Sequence, residues 1–171
     1  MDAHGRIDAA VLVALYGWPD EPGLIFTERR ADMRRHAGEI SFPGGRQDEP
    51  DEDLRATALR EAHEEVGLSP DLVDLIGALP PIGTFVTSYK VHPFVGLVEE
   101  PSRLGLEPNP TEVETVLAFS LASLREGFEM QRLVRRGVPI RTPTYTVEGH
   151  LIWGATGRIL GDLLERLPKS G

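Results

Sequence analysis

The sequence predicts an α/β (α+β) fold, a mixed β-sheet flanked by helices, and three observations carry that prediction. Short runs rich in Val, Leu, Ile and Phe recur between Gly- and Pro-containing turns, as strands do. Two segments, residues 53–66 and 153–167, place their apolar residues on one helical face. The 171 residues, 40% hydrophobic and 26% charged, suffice for one well-packed domain and are short for two.

Ile7 to Tyr16 is a run of Val, Leu and Ala closed by Gly-Trp-Pro-Asp and reads as a buried strand. A second strand, Gly23 to Thr27, follows Pro22, and Arg29 to Ala37 reads as a polar loop. Glu39 to Phe42 is a short strand stopped by Pro43-Gly44-Gly45. Asp51 or Asp53 can cap a helix that runs to Val66, where Gly67 ends it and Pro70 prevents its resumption. Leu72 to Leu79 and Phe85 to Glu99 read as strands, and a Pro-rich loop spans Pro101 to Pro110. Leu117 to Leu121 is a further strand, Ser123 to Glu126 a short helix, and Gln131 to Val147 a twisted hairpin around Gly137. The last helix, Trp153 to Leu167, carries Ile159, Leu160, Leu163, Leu164 and Leu167 at helical spacing. With no internal repeat or low-complexity tract, residues 1–171 are expected to form a single domain.

Composition excludes several classes of function. The chain has no cysteine, which removes disulfides, thiolate metal sites and a cysteine nucleophile together and suits a reducing, cytoplasmic location. The first ten residues lack the basic start and apolar run of a signal peptide, and the terminal Lys-Ser-Gly is not a peroxisomal address. No apolar stretch approaches the ~20 residues of a membrane helix, so no membrane partner is expected. A net charge of −9 repels a phosphate backbone and argues against general nucleic-acid binding. Against that acidity, residues 29–36 gather Arg29, Arg30, Arg34 and Arg35 with one acid, Asp32. The five histidines show no HExxH spacing, and no GxSxG, P-loop or GxGxxG pattern occurs. A homodimer is allowed.

The segment that carries chemistry is Gly44 to Leu68. On its helix Glu61, Glu64 and Glu65 stand at i, i+3 and i+4, within an arc of roughly 100° on one face. Like charges at this spacing destabilise a helix, whereas a cluster of hard oxygens is what Mg²⁺ or Mn²⁺ takes when it also bridges substrate phosphates. Ala58, Leu59, Ala62 and Val66 form the opposite face, and the small alanines let the helix lie close to a sheet, giving the carboxylates a rigid support. The plain alternative is a solvated acidic helix with Arg60 paired to Glu64. The glycines at both ends and the apolar spacing tell against it.

These residues resemble the box of the Nudix hydrolases: Gly, five residues, Glu, seven residues, then Arg-Glu-aliphatic-x-Glu-Glu-x-Gly-aliphatic. Arg60-Glu61-Ala62-His63-Glu64-Glu65-Val66-Gly67-Leu68 matches, with Ala62 at the aliphatic position, and Glu52 lies seven residues before Arg60. Six residues rather than five separate Gly45 from Glu52, a spacing similar to that of the coenzyme A pyrophosphatase branch, which has an acid at the place of Asp51. Either Asp51 or Glu52 then stands for the first acid of the box. Upstream, Ile25, Phe26, Thr27, Arg29, Arg34, Gly38, Phe42, Pro43, Gly44 and Gly45 fall at the spacings of the same branch, with Ile25-Phe26 for its Leu pair and Arg30 for its Ser or Ala. Downstream, Pro93-Phe94-Val95-Gly96, Asn109-Pro-x-Glu112-Val113 and Ile152-Trp153-Gly154 also resemble it.

The resemblance implies an α/β/α sandwich of the Nudix type and a pyrophosphohydrolase that uses Mg²⁺ or Mn²⁺. It implies that Glu61, Glu64 and Glu65 hold the cations with the backbone carbonyl of Gly45, and that Arg60 orients the glutamates. It implies that the base that activates water is Glu61 or, from a distant loop, Glu112. Gly44, Arg29 and Arg34 are expected on the substrate side, the arginines because guanidinium binds phosphate bidentately. The expected partner is a small nucleoside diphosphate derivative, coenzyme A or an acyl or oxidised form of it. The alternatives are ADP-ribose, a dinucleotide or a nucleoside triphosphate, or a silent nucleotide-binding domain, a class that loses box glutamates where this chain keeps all three.

Overall fold

The computed structural model describes residues 7–33, 38–84, 88–135 and 137–169. Arg34, expected to bind substrate, lies outside the described residues, as do Arg35 and Phe85. In chain order the elements are β1 (Ile7–Tyr16), β2 (Gly23–Arg29), β3 (Ile40–Ser41), β4 (Gly44–Arg46), α1 (Leu54–Val66), β5 (Asp74–Ala78), β6 (Ile82–Gly83) and β7 (Tyr89–Val98). They continue with β8 (Val113–Ser120), α2 (Leu121–Glu126), β9 (Phe128–Arg135), β10 (Val138–Val147), β11 (His150–Ile152) and α3 (Gly154–Arg166).

The predicted mixed sheet is present, and β1 is its centre. Along its whole length β1 pairs in parallel with β7. On its other edge it meets β2 only at Leu15↔Leu24 and Tyr16↔Gly23, and then the two strands part. The opening is filled by the β3–β4 segment: β4 takes β1 at Ala9, Ala10 and Val11, and β3 takes β2 at Thr27 and Glu28. β8 lines the far edge of β2, and β5 and β6 the far edge of β7, all antiparallel. A second, three-stranded sheet runs β11-β10-β9.

Alternation along β1 builds two cores, one on each face. Ala10, Leu12 and Ala14 pack with Ile25 and with Ala58, Ala62, Val66 and Leu68 of the α1 segment. Val13 and Leu15 point the other way, into a larger cluster with Phe26, Phe42, Tyr145, Ile152 and Ile159, Leu160, Leu163 and Leu164 of α3. The result is the three-layer arrangement expected. Asp53, not Asp51, caps α1: its Oδ1 accepts the N–H of Ala56 at 2.8 Å. Gly67 ends the helix at φ 73°, where a residue with a side chain would cost about 1–2 kcal/mol.

Several expectations need correction. β3 ends before Pro43 as expected, but Gly44-Gly45 at once begin the strand β4, because only glycine lets this backbone lie against β1: a Cβ on Gly44 would run into Ala10 O and Val11. The strand expected from Leu72 starts at Asp74, after a 3₁₀ turn at Pro70–Leu72. β8 starts at Val113, earlier than Leu117, since the β2 ladder extends that far. The two-residue β6 and the three-residue β11 are too short to show a period in the sequence.

Candidate active site

The glutamate-bearing face of α1 is organised around Arg60. Asp51 grips this guanidinium with both oxygens, accepting from Nε at 2.9 Å and Nη2 at 3.0 Å. The same carboxylate accepts from Thr57 Oγ1 and from the N–H of Asp48, both at 2.9 Å, and its side chain is only 5% exposed. These contacts hold Asp51 at about 2, well below the usual carboxylate range, with Arg60 the main cause. Glu52 is exposed. The acid that meets the box arginine is therefore Asp51, which answers the question left open by the longer spacing.

From the other side of the guanidinium, Nη1 donates to Glu61 Oε1 at 3.0 Å and to Glu64 Oε2 at 3.1 Å, and Nη2 donates to Arg46 O at 3.0 Å. Arg60 thus ties two of the three box glutamates and the end of β4 to one point. Glu64 and His63 face solvent, whereas Glu61 is largely covered. Its cover is β4: a Cβ on Gly45 would sit 2.6 Å from Glu61 Cδ and Oε1. Glu65 lies under the same strand and accepts the N–H of Gly44 at 3.3 Å.

Glu112 is brought toward this face by the loop before β8, and the route is a set of backbone contacts. Glu107 N–H donates to Val66 O at 2.8 Å and Asn109 N–H to Glu65 O at 2.7 Å, so the loop seals the carbonyl end of α1. Asn109 Oδ1 turns the chain by accepting from Thr111 N–H and Oγ1, and Arg30 N–H donates to Glu112 O at 3.0 Å. The Arg30 side chain chelates Asp32 and reaches Pro110 O. Sequence reasoning missed this anchoring role of Arg30 and Asn109. The Asn-Pro pair was the only available signal.

Electrostatics joins these groups. Burial pushes Glu65 up to about 8, with the charges of Glu61 and Glu112 adding to the rise and Gly44 N–H and Arg29 opposing it. Glu61 is also raised, first by burial and then by Glu64 and Glu112, against the pull of Arg60. Glu61, Glu65, Glu112 and Arg29 therefore share one electrostatic neighbourhood. Arg29 ends β2, with its N–H on Glu39 O at 2.9 Å. Among the described residues no three acidic or histidine side chains converge as a finished metal-binding group, since Glu61 and Glu64 are turned onto Arg60. The donor set still fits a divalent cation: hard carboxylate oxygens whose charges are mutually unfavourable, beside a Gly45 that has no side chain to displace the Glu61 carboxylate.

The comparisons with known proteins agree with this geometry. A family model described as the NUDIX domain matches residues 6–137. The uncharacterized Nudix hydrolase NudL of Cronobacter sakazakii is 42% identical over 157 residues, covering 91% of this chain and 80% of that protein. Its counterpart from Enterobacter sp. is 38% identical over 167 residues, covering 95% and 83%. Two solved structures share the fold: the Nudix hydrolase RenU of M. smegmatis, with a TM-score of 0.64 and 16% identity over 97% of this chain and 90% of its own. The other is the NUDIX domain of Shewanella oneidensis NrtR complexed with ADP ribose, at 0.63 and 14% over 96% and 90%. With its box on one face of α1 and relatives matched over nearly its whole length, the chain belongs to the Nudix hydrolase family.

Proposed function

We propose that the chain is a Mg²⁺- or Mn²⁺-dependent pyrophosphohydrolase that cleaves coenzyme A, or its acyl or oxidised derivatives, to 3′,5′-ADP and (acyl-)4′-phosphopantetheine. The observation that carries the reading is the α1 face on which Arg60 holds Glu61 and Glu64 and the Gly44 N–H holds Glu65, with Gly45 lying directly against the Glu61 carboxylate. Glu61, Glu64 and Glu65, with the carbonyl of Gly45, would hold the divalent cations. Bound there, such ions lower the pKa of a coordinated water and offset the charge of a diphosphate. Arg60 holds Glu61 and Glu64 in place, and Asp51 holds Arg60. Glu61 or Glu112 accepts the proton of the attacking water, each being a carboxylate of the same neighbourhood.

The coenzyme A assignment rests on the arginines. Coenzyme A carries a ribose 3′-phosphate apart from its diphosphate, and cations at the glutamates neutralise only the bridge. Arg29, beside Glu65, and Arg34 supply positive charge for the second centre, and the Gly44 backbone borders the bridge. We read residues 1–171 as a single domain acting in the cytosol, as suits a cysteine-free chain. Incubating the protein with Mg²⁺ or Mn²⁺ and a panel of coenzyme A species, ADP-ribose, dinucleotides and nucleoside triphosphates, with products identified by mass spectrometry, tests both levels. Coenzyme A species should turn over fastest. Faster ADP-ribose hydrolysis removes the substrate assignment, and no hydrolysis of any diphosphate removes the catalytic one.

A further inference from the structure

The mixed sheet ends in β5 on one side and β8 on the other, and each of these edges is broken by one extra residue. Ile76 is the surplus residue between Leu75↔Gly96 and Gly77↔Val95, and Glu114 is surplus where β2 steps from Glu28 to Arg29. Bulges of this kind bend an edge out of reach of another strand. The edge strand of the smaller sheet, β9, has no such device. Its register to β10 is unbroken from Phe128↔Tyr145 to Arg135↔Val138, and it contains no proline.

Its partner strand shows which backbone groups have no ladder partner among the described residues. Pro143 and Pro139 stand opposite Met130 and Val134, and proline has no N–H to give. The ladder bonds therefore run through Glu129, Gln131 and Leu133, and the N–H and C=O groups of Phe128, Met130, Arg132 and Val134 point to the open edge. Side chains of these same four residues share one face, where Phe128 is 48%, Met130 42% and Val134 70% exposed. That face runs into a cavity of about 890 Å³ between the hairpin and α3, where Phe128, Met130, Pro143 and Tyr145 meet Leu164 and Leu167, with charged residues such as Arg125 and Glu165 also in its wall.

We propose that β9 is the seam of a homodimer, pairing antiparallel with β9 of a second copy about a two-fold axis at Gln131. This register sets Phe128 opposite Val134 of the second copy and Met130 opposite its Arg132, each pair occurring twice, with no like charges facing. The second copy's Val134 arrives beside Phe128, at the strand side of the cavity. Centring the axis on Arg132 would oppose two guanidinium groups, and centring it on Met130 would leave Val134 facing Glu126. The two three-stranded sheets become one of six strands, and the exposed edge disappears.

Light scattering on the eluting full-length protein tests the seam, with twice the 18.8 kDa chain mass expected. Met130→Pro removes a donor aimed at the open edge while sparing the β9–β10 ladder, and Val134→Arg charges a position already open to water. Each should raise the dimer dissociation constant about tenfold or more with the far-UV circular dichroism unchanged. Ile76→Arg, on the bulged β5 edge, should leave the mass at two chains. A wild-type chain that is monomeric at every soluble concentration overturns the proposal. So does a dimer unaffected by Val134→Arg, or a monomer that co-sediments with phosphatidylglycerol vesicles through this hairpin.

Discussion

Replacing Asp51 with asparagine keeps the volume of the side chain and removes its charge, so the effect isolates what that charge does. The wild-type carboxylate accepts four hydrogen bonds, two of them from Arg60. Its fall from 3.8 to about 2 corresponds to about 2 kcal/mol of preference for the folded state. Arg60 remains a quarter exposed, and water screens part of this, so about 1–2 kcal/mol is the expected loss. For a chain of this size that lowers Tm by about 2–8 °C. A second consequence is larger in rate than in stability. Arg60 loses its anchor on Asp51 and can shift together with Glu61 and Glu64, which it already holds, and misplacing catalytic carboxylates by about 1 Å can cost roughly a hundredfold in kcat/KM. Thermal denaturation and steady-state hydrolysis of coenzyme A read the two effects, with Glu52→Gln as a control that should change neither. The pH dependence has a definite sign: the folded-state value is depressed, so the stabilisation is full above about 4 and is lost as pH falls toward 2. The difference between the variant and wild type should close over that interval. An Asp51→Asn protein as stable and active as wild type, or a Glu52→Gln protein as damaged as Asp51→Asn, would falsify the assignment of the first acid.

Three further outcomes are expected. Gly45→Ala places a methyl 2.6 Å from the Glu61 carboxyl, so activity should fall at least about tenfold while the helix content holds, and normal kinetics would mean that β4 yields freely. Activity should vanish with chelator, and Glu65→Gln should lose orders of magnitude in rate; in chelator the same variant should melt no lower than wild type, because burial and Glu61 already oppose the Glu65 charge. Arg29→Ala should lower kcat/KM for coenzyme A by about ten- to a hundredfold, the worth of a charge-assisted contact, with a much smaller loss on dephospho-coenzyme A; equal losses would assign Arg29 to the bridge or the fold.

What could be seen in the sequence was what local chemistry determines. The α1 helix announces itself through Asp53, Gly67 and the small apolar face, and the glutamate cluster follows from its spacing. The short strands did not, because two or three residues carry no period and form only where a longer partner offers hydrogen bonds. β4 is the instructive case: the glycines that read as a turn are there for close approach to Val11 and Glu61, a requirement set by residues distant in sequence. Spacing alone left Asp51 and Glu52 equivalent. The path of the loop from Asp48 to Asp53, held by the N–H of Asp48 on Asp51, decides between them. Glu112 could be proposed from its motif, but its approach to the box glutamates depends on Asn109 and Arg30 contacts that join three separate segments.

The seam between α1 and β1 is rich in single methyl groups: Ala10 and Ala14 flank Leu12 on the strand and Ala58 and Ala62 lie on the helix, none of these alanines more than 1% exposed. Side-chain volume there acts as a spacer that sets how high the helix rides above the sheet. Ala62→Val, one position from Glu61, would lift it, and overpacking of this kind typically costs about 1–3 kcal/mol. The carboxylates would move with the helix while Gly44 and Gly45 stayed on β1. Any gain in core volume at this seam is thus converted directly into a change of clearance at the site.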